Sequence, residues 1–327
     1  MAVEAAPGSC RNDSSSVLGT LDQVYRRGEF RIVYTTQGEH ALTSTADRNT
    51  DGIPDQAEDV ATQLITARRI YSAIVGLNPP LDMPRYARAQ SIDVFLFDME
   101  NGNGLAYDEV VNYRLAFDGP DGRCTLRIDL SNRLGNQNVT PAHELFHLHQ
   151  YAYSMFKARW FLEGTARWAE YALRAGTGPE QSLPETKEGI EAQLFSQTYQ
   201  AERLWNRLAG ITDPVGQLPI SQDLAQAEYT DGSMVIHDNA LHGVVFMKAL
   251  LEELDSQSAQ VATRRGWSRY NWAEADQTSS EQDEEILQAV IRAFSLSIEE
   301  QFAHLPEIET FLSVGSESVT RDNSTFR

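Results

Sequence analysis

Apolar and polar residues alternate at Phe30-Arg31-Ile32-Val33-Tyr34-Thr35, the period-two pattern of a half-buried strand. Residues 91–97 and 124–130 read as two further strands. Between the first two the period changes. Val60, Leu64, Ala67, Tyr71 and Ile74 recur at three- and four-residue spacing, which predicts a helix over 59–74 with one apolar face. Thr140 suits an N-cap and Pro141 a first helical position, so another helix is expected to open there. Later the helical period dominates, over 185–208, 240–254 and 281–294. A short last helix is expected at Ser297, where Glu300 completes a capping box. Stretches rich in Gly and Pro at 176–184 and 210–223 read as connections, and polar residues 255–282 as a long surface loop. The expected organisation is an N-terminal extension over 1–29, a part mixing strands and helices over 30–177, and a mainly helical part over 178–327.

Charge narrows the partners. Twenty-seven Lys and Arg against forty-seven Asp and Glu give a net charge of −20 over 327 residues, a surface that repels nucleic-acid phosphates and anionic membranes. No apolar run approaches a bilayer span, so membrane insertion is not expected. Met1-Ala2-Val3-Glu4-Ala5-Ala6 lacks the basic start and apolar stretch of a signal peptide; Met1 is compatible with a start codon placed on a mature chain. Cys10 and Cys124 are the two cysteines. In an exported protein they would pair, closing a loop worth roughly 4–5 kcal/mol in the entropic account; two separate buried thiols is the other reading.

The densest chemistry is His143-Glu144-Leu145-Phe146-His147. Residues four apart share a helix face, so both imidazoles can reach one ion, with a carboxylate beside the first. A catalytic zinc needs a third protein ligand and an open fourth position. Glu163, sixteen positions after His147, opens what reads as a second helix in Trp160-Phe161-Leu162-Glu163-Gly164-Thr165-Ala166-Arg167-Trp168-Ala169-Glu170. Gly164 and Ala166 are small enough to allow close approach of the two helices. Glu170 is the rival third ligand. His149 sits about 200° around the helix from His147 and is expected to pack rather than ligate. Trp160, Phe161 and Trp168 read as core before specificity pocket.

These two motifs together resemble the gluzincin branch of the zincin metallopeptidases, over about residues 139–171. The resemblance implies zinc on His143, His147 and Glu163, with Glu144 as the catalytic base. It implies an α+β, zincin-like fold, with a twisted mixed sheet packed on the motif helix and a mainly helical C-terminal subdomain. It also implies an edge strand, matched to 124–130, that pairs with extended peptide. Arg167 departs from the pattern, because thermolysin-like enzymes carry there an aspartate that buttresses a histidine; Glu170 is the candidate replacement. Tyr229, His237 and His242 are candidates for the oxyanion donor, and the sequence leaves the choice open.

A second ion site is expected in the twelve residues Asp47 to Glu58. Asp47, Asn49, Asp51, Asp55 and Glu58 offer side-chain oxygens at positions 1, 3, 5, 9 and 12, and Ile53 offers its carbonyl at position 7. Gly52 holds the turn, a set that suits Ca²⁺. Asp98 to Gly104 is a weaker acidic stretch that reads as a turn. Calcium loop, strands and HELFH together are similar to an exported bacterial family of metallopeptidases with an N-terminal calcium loop, over roughly 30–175. The expectation is a secreted zinc endopeptidase, extracellular or periplasmic, stabilised by calcium. A catalytically inactive binding module of the same fold, or a zinc hydrolase of a non-peptide amide, are the alternatives.

Overall fold

Six strands form one mixed sheet in the computed structural model, which describes residues 10–119 and 122–317. The reading of Met1 to Ala6 therefore lies outside the described residues. The strands are β1 (Arg11–Asn12), β2 (Gln23–Arg27), β3 (Phe30–Tyr34), β4 (Ile92–Phe97), β5 (Gly104–Asn112) and β6 (Thr125–Ser131), in the order β1-β5-β6-β4-β3-β2. β3, β4 and β6 run parallel in the middle, β2 is antiparallel to β3 and β5 antiparallel to β6, and β1 runs parallel to β5. All five residues of β3 are buried, so the half-buried expectation for this strand is corrected. An interior strand of a parallel core is covered on both faces, and its polar Arg31 is neutralised there by Asp93 at 2.7 Å and by Asp118. The face bearing Val33 and Phe95 is covered by Leu18, Leu21 and Leu115.

β6 is not the sheet edge that residues 124–130 were expected to form: it lies between β5 and β4. The strand beyond it, β5, escaped the sequence reading because Asp108 and Glu109 interrupt its alternation, where the β5–β6 register also slips. β1 pairs with the far end of β5 through Arg11↔Val111 and Asn12↔Asn112, and the Cys10–Cys124 disulfide ties the same segment down.

The helices are α1 (Asp55–Arg69), α2 (Thr140–Tyr153), α3 (Arg159–Glu170), α4 (Glu202–Thr212), α5 (Val244–Arg265), α6 (Asp283–Ser297) and α7 (Pro306–Glu317), with short turns between them. The fold is α+β, and its later part is mainly helical. Two compact units are distinguished. One holds the described residues of Met1–Ala73, Asn78–Ala152 and Ile220–His237; the other holds those of Ile74–Leu77, Tyr153–Pro219 and Asp238–Arg327.

Three helical expectations shift. Residues 185–208 are not one helix but several short turns leading to α4, with a break at Thr198 (φ −127°, ψ −108°). α5 runs eleven residues into the predicted surface loop, because its buried polar residues have partners: Arg292 donates to Gln257 Oε1 at 2.6 Å, and Ser258 Oγ accepts from the Met155 amide at 3.2 Å. It stops at Gly266, whose φ of 69° is the usual left-handed end of a helix. The expected capping box fails, since Ser297 is the last residue of α6 and not a cap.

Candidate metal centre

α2 is buried from Pro141 to Gln150, so its polar residues need partners inside the protein. Its start is capped two residues earlier than expected. Asn138 Oδ1, and not Thr140, accepts the orphan amide of Thr140 at 2.9 Å. Gln63, on α1, secures the same turn: its Oε1 accepts from the Ala142 amide at 3.3 Å and its Nε2 donates to the Asn138 carbonyl at 3.1 Å.

One helical turn brings His143 and His147 together, with ring centroids 4.7 Å apart and planes nearly perpendicular. Both are buried, at 6% and 5% exposure. Glu163, on α3, joins them. Among the described residues, these form the one group of three His, Cys, Asp or Glu side chains whose donor atoms all lie within 4.8 Å of one another. Two imidazoles and a carboxylate are the donor set of a catalytic zinc, which would hold them at bonds of about 2.0–2.1 Å. The residues fit such an ion.

His147 is held in two directions. Its Nδ1 lies 2.6 Å from Gln150 Oε1, and its ring stacks on Tyr151 with centroids 5.9 Å apart. The Tyr151 carbonyl in turn accepts from Arg85, which also pairs with Asp108 of β5. Gln150, 1% exposed, was missed from the sequence, although its position three residues after His147 places it on the same face.

Glu144 faces the sheet. A Cβ on Gly104 would stand 2.8 Å from its side chain and 2.5 Å from that of Thr140, so only glycine lets β5 run this close to α2. Gly104 was read as the end of an acidic turn, when it is the first residue of β5.

The other sequence candidates fall elsewhere. His149 is packed as expected: it is fully buried, its Nδ1 meets the Asn78 carbonyl at 3.1 Å, and burial pushes its pKa down to about 3. Glu170 is neither solvated nor a lone carboxylate, being buried with Arg167 and Arg174 at 3.0 Å each. The Tyr229 hydroxyl accepts from Gln63 Nε2 at 2.7 Å, and burial pushes its pKa up to about 12. His242 Nδ1 meets the Asp213 carbonyl at 2.5 Å, so the neutral ring has used its single N–H. His237 is exposed. A Cβ on Gly164 would stand 2.5 Å from Trp205, which stacks on Trp160. Trp160, Phe161 and Trp168 are all core.

Of the donors in the 47–58 loop, Asn49 and Asp51 are exposed, Asp47, Ile53 and Glu58 half-buried, and Asp55 buried. Asp47 accepts from the amides of Gly52 (2.9 Å) and Asp51 (3.2 Å), and Asn49 Nδ2 lies 3.2 Å from both Glu58 oxygens. Asn49 thus meets Asp51 and Glu58, while Asp47, Asp51 and Glu58 do not gather as His143, His147 and Glu163 do. Asp55 opens α1, buried, and its carboxylate is taken by the backbone and guanidinium of Arg48. Asp98, in the weaker acidic stretch, is paired with Arg133.

Compared with known proteins, the chain matches no family model, no curated protein and no solved structure.

Proposed function

We propose that the chain is a zinc-dependent endopeptidase of the gluzincin type, exported, with a structural calcium ion in its N-terminal loop. The observation that carries this reading is the gathering of His143, His147 and Glu163, with Glu144 one residue along the same buried helix. His143, His147 and Glu163 would hold the zinc. When bound, zinc supplies Lewis acidity toward a carbonyl and acidifies water to a pKa of about 7. Glu144 acts as the general base, taking a proton from the attacking water and returning it to the departing amine nitrogen as the C–N bond breaks. β5 supports a peptide substrate: it begins against Glu144, and beyond its pairing with β1 no strand lies on its outer side among the described residues. An extended peptide adding there would run beside the carboxylate that works on it.

The disulfide supports export, since such bonds persist in oxidising compartments. No helix of the described residues is long and apolar enough to cross a membrane. For the calcium loop, the support is the spacing of its oxygen donors together with the contacts of Asn49 to Asp51 and Glu58 and the turn that Asp47 holds at Gly52.

The decisive experiment combines Glu144→Gln with metal analysis. The parent should cleave casein, lose that activity to phenanthroline and regain it with zinc. Glu144→Gln should keep one zinc per chain while turnover falls by at least about 10²-fold. A zinc-loaded parent that cleaves no peptide, or an active Glu144→Gln, would refute the proposal.

A further inference from the structure

Resting on that reading, we infer that Gln150 is the positioning residue for the metal ligand His147. A carbonyl oxygen only accepts, so the 2.6 Å contact from Gln150 Oε1 requires the hydrogen on His147 Nδ1. That fixes the tautomer. The lone pair is left on Nε2, at the opposite corner of the ring. Tyr151, stacked on the ring face, holds its plane, and Arg85 anchors the Tyr151 carbonyl. Ring orientation and proton position are therefore both set before any ion arrives.

The source of this support is unusual. Arg167 stands where the resemblance would put a buttressing aspartate on α3, and the other acid considered for that role, Glu170, is engaged with Arg167 and Arg174. Here the support comes instead from α2 itself, one turn after the ligand it serves. A single rigid helix thus carries a ligand and its orienting acceptor. Their geometry depends on helical spacing alone. Gln150 is 1% exposed, so water cannot replace it without a cavity.

The test is zinc affinity, measured by competition with a chromophoric chelator on the full-length protein. Gln150→Met keeps the volume and removes the acceptor; Gln150→Glu keeps an acceptor at the same reach. Gln150→Met should weaken zinc binding about 10–100-fold, the usual loss when such a partner is removed. Gln150→Glu should restore affinity to within a few-fold of the parent. A merely structural role would give both variants the same loss, or would lower the melting temperature of the metal-free protein without separating them. Gln150→Met binding zinc as tightly as the parent overturns the inference.

A second measurement needs no variant. Long-range ¹H–¹⁵N spectra of the metal-free parent should show His147 protonated at Nδ1; an Nε2–H tautomer overturns the inference even if Gln150→Met does not fold. A parent that binds no zinc would sink the functional reading instead, and the His147 tautomer would still decide the role of Gln150.

Discussion

Two stretches of this chain carry metal-ligand spacing, and the fold treats them differently. In α2, His143 and His147 are buried, and His147 is held at its ring edge and its ring face by Gln150 and Tyr151. In the 47–58 loop Asn49 and Asp51 are exposed, Asp47 accepts from the amides of Asp51 and Gly52, and Asp55 is drawn off to Arg48. A helix sets side-chain directions through its backbone period, so ligands four apart meet without further instruction. A loop has no such period. Its donors are held by mutual hydrogen bonds that an entering cation must displace.

The sharpest way to break the comparison is to delete one donor from each stretch. His147→Ala or Glu163→Ala should cost zinc affinity more than the roughly 10–100-fold that a supporting residue is worth. Glu58→Ala should leave zinc unchanged, as read by metal analysis after dialysis. Full zinc retention by Glu163→Ala would mean that the third ligand is elsewhere.

Glycines give a smaller contrast. Gly104→Ala drives a methyl group into Thr140 and Glu144 and should destabilise by about 1–3 kcal/mol, with activity falling as Glu144 is displaced. Gly52→Ala meets no neighbour, but its φ of +90° is strained for any side chain, at about 1–2 kcal/mol. Urea midpoints should therefore fall for both variants, while peptidase activity should fall for Gly104→Ala alone. Equal activity losses would erase the distinction.

The smallest effect concerns calcium. Millimolar Ca²⁺ should raise the melting temperature by about 2–4 °C through preferential binding to the folded loop. Asp47→Asn with Glu58→Ala should abolish that rise. An unchanged parent would make the loop a solvated turn.

How much of this was legible follows from the same contrast. His143 and His147 could be paired from spacing alone, and β3, β4 and β6 were readable because apolar residues recur along each at strand spacing. Glu163 was a candidate from its position after His147, and the resemblance favoured it over Glu170. β5 stayed hidden because it keeps polar residues such as Asp108 and Glu109. Gln150 was in plain view at helical spacing, yet an amide carries no charge or reactivity to single it out. Tyr229 and His242 were attractive by residue type, and only their partners, Gln63 and Asp213, reveal how they are held.

The bond between Cys10 and Cys124 has a bearing on solution behaviour. It pins the short β1 ribbon over the last two residues of β5, blunting one end of an otherwise open flank. Uncovered flanks template self-association between copies of a chain. Reduction would lengthen the sticky border, and dithiothreitol should promote oligomers that light scattering detects. If scattering stays flat, the covalent staple is irrelevant to colloidal behaviour, and the ladder contacts of Arg11 and Asn12 hold unaided.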